Sequence, residues 1–233
     1  MLRRALNFVT ELHHARQTGA IPLGLTRSIQ RGVQSYTYRG LPMMKHPMDM
    51  ALYAELIWRE KPSMIIEIGS GSGASALWMA DMLRSYEYEG YVFSIDIKPP
   101  EPEFKDSRIK FIYGEAANLE PCFSGRSISS VHPILVIEDS SHLSSDTLAV
   151  LNFFAPHMQA GEYIIVEDGN VSDIGNAQAR EGGPLKAIHQ FLEENPEFAV
   201  DRSYCDRYGY NATANPDGYI KRMRYEQKWP NYD

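Results

Sequence analysis

From Pro47 onward the chain alternates two hydrophobic rhythms. Between Met48 and Arg59, the residues Met50, Leu52, Tyr53, Leu56 and Ile57 recur at helical spacing. "SMIIEI" follows as an unbroken apolar run with β-branched residues, the pattern of a strand buried on both faces of a parallel sheet. "ASALWMADMLRSY" is helical again, and "YVFSID" and "IKFIYG" read as the next two strands. "PILVIED" is a fourth strand, the helix "SSDTLAVLNFFAPHM" comes next, and "EYIIVED" is a fifth strand. "GGPLKAIHQFLEEN" is a helix with Pro184 in its first turn, and "FAVDRSY" and "GYIKRMR" read as two closing strands.

Strands alternating with helices predict an α/β fold: a mostly parallel, seven-stranded sheet with helices on both faces. Residues 1–47 stand apart as an N-terminal helical appendage, with a helix near residues 4–17 and a Gly- and Pro-punctuated stretch after it. That segment is expected to act as a lid or a dimer contact, leaving residues 48–233 as the principal domain.

In sheets of this kind ligands sit beyond the carboxyl ends of the strands. Glu67, Asp96, Glu115, Asp139, Glu167 and Asp168 all fall at or just after such ends. One acid there could be a helix cap. Several on one rim suggest a site.

Composition narrows the partners. At 233 residues and 43% hydrophobic, the chain can bury one large core. A net charge of −7 leaves no bulk electrostatic reason to bind nucleic acid, and local arginines near the N-terminus read most simply as a solvated helix surface. No apolar run is long enough to span a membrane. Two cysteines, Cys122 and Cys205, give neither a disulfide framework nor zinc spacing, so a cytoplasmic location is expected.

The stretch "IIEIGSGSG" satisfies two patterns. Gly69, Gly71 and Ala74 fit the dinucleotide fingerprint, while Glu67, Gly69, Gly71 and Gly73 fit the E-x-G-x-G-x-G loop of methyltransferases that use S-adenosylmethionine. A tight strand-to-helix turn without a ligand is the plain alternative. Charge separates the two ligands. Pyrophosphate wants backbone N–H groups and the positive end of a helix, and a fixed carboxylate beside it would be repulsive. A sulfonium and an ammonium are cations, so Glu67 favours S-adenosylmethionine. Asp96 is placed to hold a ribose in either scheme.

"IEDSSH" and "VEDGNV" supply a second constellation. If the two strand ends are neighbours, Asp139, Glu167 and Asp168 converge. Three uncompensated carboxylates would raise each other's pKa, and a bound divalent cation relieves this. An all-oxygen set suits Mg²⁺ or another hard divalent cation. Helix capping explains Glu167 and Asp168 poorly, because no good helix is expected directly after them. His142 is the candidate base for a hydroxyl proton, with a structural hydrogen bond at a helix start as the other reading.

These motifs, with "YRGLPMMKHPMDMALYAELIWREKPSMIIEIGSGSGASALWMA", "GGPLKAIHQFL" and "NPDGYIKR", resemble the cephalosporin hydroxylase family, which includes rhamnosyl O-methyltransferases. The resemblance spans roughly residues 36–223. It implies a Rossmann-like methyltransferase fold binding S-adenosylmethionine and Mg²⁺, with the metal acids at Asp139, Glu167 and Asp168. It also implies that Gly114, Glu115 and Ala116 lie near the adenine and that Lys45 to Asp49 lie over the cofactor pocket. The layout is similar to that of catechol O-methyltransferase, except that His142 stands where that enzyme has a lysine base and Glu167–Asp168 where it has an Asp–Asn pair.

Taken together, the expected activity is Mg²⁺-assisted methyl transfer from S-adenosylmethionine to a hydroxyl of a small molecule, a sugar or natural-product intermediate. Glu67, Gly69, Ser70, Gly71, Gly73, Asp96, Glu115, Ala116 and Asp139 would contact the cofactor. Asp139 and His142 would do the chemistry. A homo-oligomer is compatible with the sequence. A nicotinamide-dependent oxidoreductase and a non-catalytic partner protein that binds S-adenosylmethionine are the alternatives. Asn215–Pro216–Asp217–Gly218 predicts a hairpin into the last strand, Tyr204, Tyr208 and Tyr210 are either pocket wall or rim packing, and "GNVSDIGNAQAREGGP" is a long loop after the acids that could close over substrate.

Overall fold

The computed structural model describes residues 18–100, 104–123, 128–175 and 182–224. The helix expected near residues 4–17 lies outside the described residues. The described chain starts with helix α1 (Leu23–Val33) and the two-residue ribbon β1 (Thr37–Tyr38) and β2 (Leu41–Pro42). It continues through α2 (Pro47–Glu60), β3 (Met64–Ile68), α3 (Ala74–Ser85), β4 (Tyr91–Asp96) and β5 (Ile109–Tyr113). Then come β6 (Ile134–Glu138), α4 (Ser144–Phe154), β7 (Tyr163–Val166), the short α5 (Val171–Ile174) and α6 (Gly183–Glu194). The chain closes with β8 (Phe198–Val200), the short α7 (Arg202–Cys205) and β9 (Tyr219–Arg222).

Seven strands form one sheet in the order β5-β4-β3-β6-β7-β9-β8. The first five in that order are parallel, and β9 runs antiparallel to both β7 and β8. Side chains alternate across the sheet, which sorts the core into two layers. Ile65, Leu135 and Ile137 pack with Leu52, Leu56 and Leu83 on the α2–α3 face. Ile66, Ile68 and Val136 pack with Val150, Leu151, Phe154, Ile188 and Phe191 on the α4–α6 face. Each central strand is therefore apolar on both sides, which is why its sequence shows no polar alternation.

Local chemistry sets the ends of the helices. Pro47 opens α2, where a missing N–H costs nothing, and Lys61 closes it in a left-handed conformation with its N–H donating to the Ile57 carbonyl. The chain reverses its winding direction between β3 and β6, so the crevice above the carboxyl ends of these two strands is the natural ligand site.

Three expectations need correcting. "FAVDRSY" is a strand only over Phe198–Val200, because the Asp201 side chain accepts from the Ser203 N–H and starts the helix α7. The turn at Asn215–Gly218 does not close a simple hairpin. Residues 201–218 leave the edge of the sheet, bury Asn211, Thr213 and Asn215, and return to β9. A third correction concerns the stretch after the acids: α5 begins three residues beyond Asp168, with the Val171 N–H donating to the Asp168 carbonyl. Residues 176–181 of the long loop that follows lie outside the described residues.

Candidate active site

The glycine loop after β3 and the loop after β6 are packed backbone to backbone. Asp139 donates its N–H to the Ile68 carbonyl at 2.8 Å. A Cβ on Gly69 would stand 1.9 Å from the Asp139 carbonyl oxygen, so this glycine lets the two loops approach each other. Gly71 is different. It has a positive φ of 50° and open space where a Cβ would go, which is the cradle a ligand can enter. Asp96 lies beneath this loop, accepting from the N–H groups of Ser70 and Gly71 at 2.8 and 3.3 Å.

A cavity of about 660 Å³ opens here. Its walls include Gly69, Ser70, Gly71, Asp96, Glu115, Ala116, Asp139 and His142 among the expected site residues, together with Pro42 to Lys45 and Ile97. Gly73, Glu67, Glu167 and Asp168 are not on the wall. Gly73 caps α3 from beneath, against Phe111. Glu67 is fully buried behind the loop, where its carboxylate accepts from Ser75 and, at 2.6 Å, from Ser94.

Across the crevice, adjacent strands β6 and β7 bring the acids together. Nε2 of His142 lies 3.1 Å from Oδ1 of Asp139 and 3.5 Å from Oδ2 of Asp168. These three side chains offer ligand atoms within 4.8 Å of one another, close enough to share a metal ion. Glu167 faces another way. Its Oε1 accepts from Lys45 Nζ at 2.6 Å and from the Tyr53 hydroxyl at 2.8 Å. The backbones of His142 and Asp168 are both left-handed, with φ of 58° and 56°. A non-glycine residue held there costs of order 1 kcal/mol or more, and such strain gathers where a side chain must point into a site.

A family model described as rhamnosyl O-methyltransferase/CmcI matches residues 30–223. The rhamnosyl O-methyltransferase of Mycobacterium leprae (strain TN) is 30% identical over 186 residues, covering 77% of this chain and 80% of that protein. The chain belongs to the rhamnosyl O-methyltransferase/CmcI family. Solved structures show the same fold: a structure described as CmcI with Mg and SAM aligns with TM-score 0.65 at 24% identity, covering 82% of this chain and 78% of that one. The methyltransferase MycE, in a complex with Mg, SAH and mycinamycin VI, aligns with TM-score 0.54 at 18% identity, over 88% of this chain and 55% of that one. The sheet order and the crevice are those of class I methyltransferases, and the chain is an O-methyltransferase by family.

In this O-methyltransferase the site carries its own internal cation. Lys45 Nζ donates at 2.6 Å to Asp139 Oδ2 as well as to Glu167 Oε1, and its side chain is only 7% exposed. Burial disfavours the ammonium, but the charges of Asp139 and Glu167 outweigh it and hold its pKa well above the usual lysine value. Asp139 is pulled down, since Lys45 and His142 overcome the cost of its burial. Asp168 is pushed up to about 6 by burial and by the Asp139 charge. For His142 burial works against the charge, yet the hydrogen bond and charge of Asp139 prevail and raise the ring to about 9.

Behind these groups runs a buried polar chain that no spacing in the sequence announces. Asn215 donates to the Tyr53 hydroxyl at 3.2 Å and accepts from the Asp168 N–H at 3.1 Å, fixing both acids after β7. Asp49 accepts from Thr213, from the Ala214 N–H at 2.9 Å and from the Tyr219 hydroxyl at 2.8 Å, tying α2 to the segment before β9. The hint in the sequence was slight: an acid and a tyrosine on the apolar stripe of α2, both fully buried in the fold.

Proposed function

We propose that this O-methyltransferase moves the methyl group of S-adenosylmethionine to a hydroxyl of a small sugar-bearing or natural-product substrate, assisted by Mg²⁺ or a similar hard divalent cation. The observation that carries the reading is the meeting of Asp139, His142 and Asp168, the first two on the wall of the cavity lined by the glycine loop. The residues fit both groups. Gly71 leaves a cradle open, and the Asp139 and Asp168 carboxylates supply hard oxygen donors with spare negative charge, with the His142 imidazole beside them. The ligands of two solved fold relatives, Mg and SAM for CmcI and Mg, SAH and mycinamycin VI for MycE, agree with this reading.

Gly69, Ser70, Gly71 and Asp96 would hold the cofactor from the β3–β4 side, and Glu115 and Ala116 from the β5 side. Asp139 and Asp168 would hold the metal, with Glu167 joining if it leaves Lys45. When bound, the metal would supply Lewis acidity that lowers the pKa of a substrate hydroxyl. A divalent charge at Asp139 and Asp168 would offset the acids that hold the ring protonated in the metal-free site, and the neutral His142 would accept the hydroxyl proton as the methyl–oxygen bond forms and the methyl–sulfur bond breaks. Asp139 orients its ring through Nε2, which leaves Nδ1 as the basic nitrogen.

The deciding experiment is a methyl-transfer assay against a panel of glycosylated and hydroxylated small molecules, run with chelator and then with Mg²⁺ restored. Transfer that stops and returns supports the reading. Transfer that ignores the chelator removes the metal from it. Calorimetry should show binding of S-adenosylhomocysteine and none of NADH.

A further inference from the structure

Asp139 takes part in two ion pairs with two different cations. Its Oδ1 faces His142, and its Oδ2 is held by Lys45 at 2.6 Å. Lys45 also draws Glu167 away from the Asp139–His142–Asp168 cluster, and Tyr53 fixes Glu167 in that turned position. The ammonium is buried and sits on the stretch that joins β2 to α2 and walls the cavity. Its backbone is confined too: Met43 donates to the Tyr36 carbonyl on one side, and α2 begins at Pro47 on the other.

We propose that Lys45 is a built-in counter-cation that competes with a divalent metal for Asp139 and Glu167, and so sets the metal affinity of the site. The inference rests on the metal-assisted reading above. Without metal, Lys45 compensates the charges of two carboxylates held close together, one buried and one half-buried, whose other partners are Tyr53 and His142. When a divalent cation approaches, the same ammonium repels it and occupies the oxygens it needs. Metal binding must then move the Lys45 ammonium off Asp139, or accept it as a neighbouring like charge. Either way the lysine weakens the site, so enzyme and metal part more readily than three free carboxylates would allow. Because Lys45 also lines the cavity, occupancy of the cofactor crevice and of the metal site share one side chain.

The test compares wild type with Lys45→Met, which keeps the length of the side chain and removes its charge. Mn²⁺ binding is followed by electron paramagnetic resonance at fixed pH and without cofactor, and thermal unfolding is followed with chelator and with Mn²⁺. Lys45→Met should bind Mn²⁺ about tenfold more tightly or better, by loss of a close repulsive charge. It should also be less stable than wild type in chelator, with the gap closing as Mn²⁺ is added. Equal or weaker Mn²⁺ binding by the variant, with binding by wild type intact, overturns the inference and leaves the metal reading standing. Absence of binding by both proteins overturns the two together. If Lys45→Met does not fold, wild type labelled with ¹⁵N at the lysine Nζ decides the matter. The protected Lys45 ammonium resonance should shift in step with Mg²⁺ occupancy, and a resonance unmoved at saturation overturns the inference.

Discussion

Nε2 of His142 lies 3.1 Å from Oδ1 of Asp139, on a residue whose own backbone is left-handed. His142 lies just before α4, which begins at Ser144, and its ring meets Asp139 and Asp168. His142→Ala should therefore lower kcat by about 10²- to 10⁴-fold, the range of a lost general base. Binding of S-adenosylhomocysteine should stay within about twofold, since the ring only borders the cofactor cavity. Single-turnover rates and calorimetry would check this, and a variant retaining full turnover would remove His142 from the chemistry.

The two glycines of the loop should behave differently when each gains a methyl group. Gly69→Ala places a Cβ against the Asp139 carbonyl, so the loops after β3 and β6 must separate. We expect a loss of about 3 kcal/mol or more in urea unfolding, together with weaker metal binding, because overpacking against backbone has no cheap relief. Gly71→Ala has room for its methyl but keeps a left-handed φ, which costs about 1 kcal/mol. Its larger effect should be on cofactor affinity, since the added methyl occupies the open cradle.

Tyr53→Phe should destabilise the protein by about 1–2 kcal/mol, because it leaves Asn215 Nδ2 without this acceptor in the interior. It also frees Glu167 from one of its two donors, so Lys45 alone would hold it in the turned position. The measurement is urea unfolding with and without Mg²⁺. An unchanged midpoint in both conditions would show that the buried chain through Asn215 contributes nothing.

Asp201 offers a pH-dependent check on the closing segment. Burial raises its pKa, but hydrogen bonds from Ser203 and Tyr163 prevail and hold it below the ordinary aspartate value of 3.8. A carboxylate with a depressed folded pKa adds stability above its unfolded pKa and loses it as pH falls through the folded value. Asp201→Asn keeps a capping acceptor and removes the charge. It should cost about 0.5–1 kcal/mol at pH 7, and the two proteins should converge as the pH falls below the wild type's folded value. A constant difference down to pH 2 would mean that the charge has no part in it.

Much of this arrangement was legible from local pattern. The continuous apolar runs "MIIEI", "ILVIE" and "YIIV" could be satisfied only by strands covered on both faces. The acids after those runs were bound to gather on one rim, because parallel strands place all their carboxyl ends on the same side. Asp139, His142 and Asp168 do meet there. Glu67 illustrates the limit of such reading. Its position two residues before Gly69 suggested a charge facing the ligand, but a residue within β3 must point into one face of the sheet, and Ser75 and Ser94 receive it there.

The sequence by itself determined the alternation of strands and helices, the glycine loop and the rim of acids, because each depends on residues close together in the chain. Only the tertiary structure decided which acids face one another. Lys45 stands 94 residues from Asp139 and 122 from Glu167, and Asn215 stands 162 from Tyr53. No local period records such pairings. They follow from the sheet order, which sets β6 beside β7, and from the packing of α2 and the 201–218 segment around the ends of those strands. That packing turned Glu167 toward a buried lysine and left Asp139, His142 and Asp168 to form the cluster at the cavity.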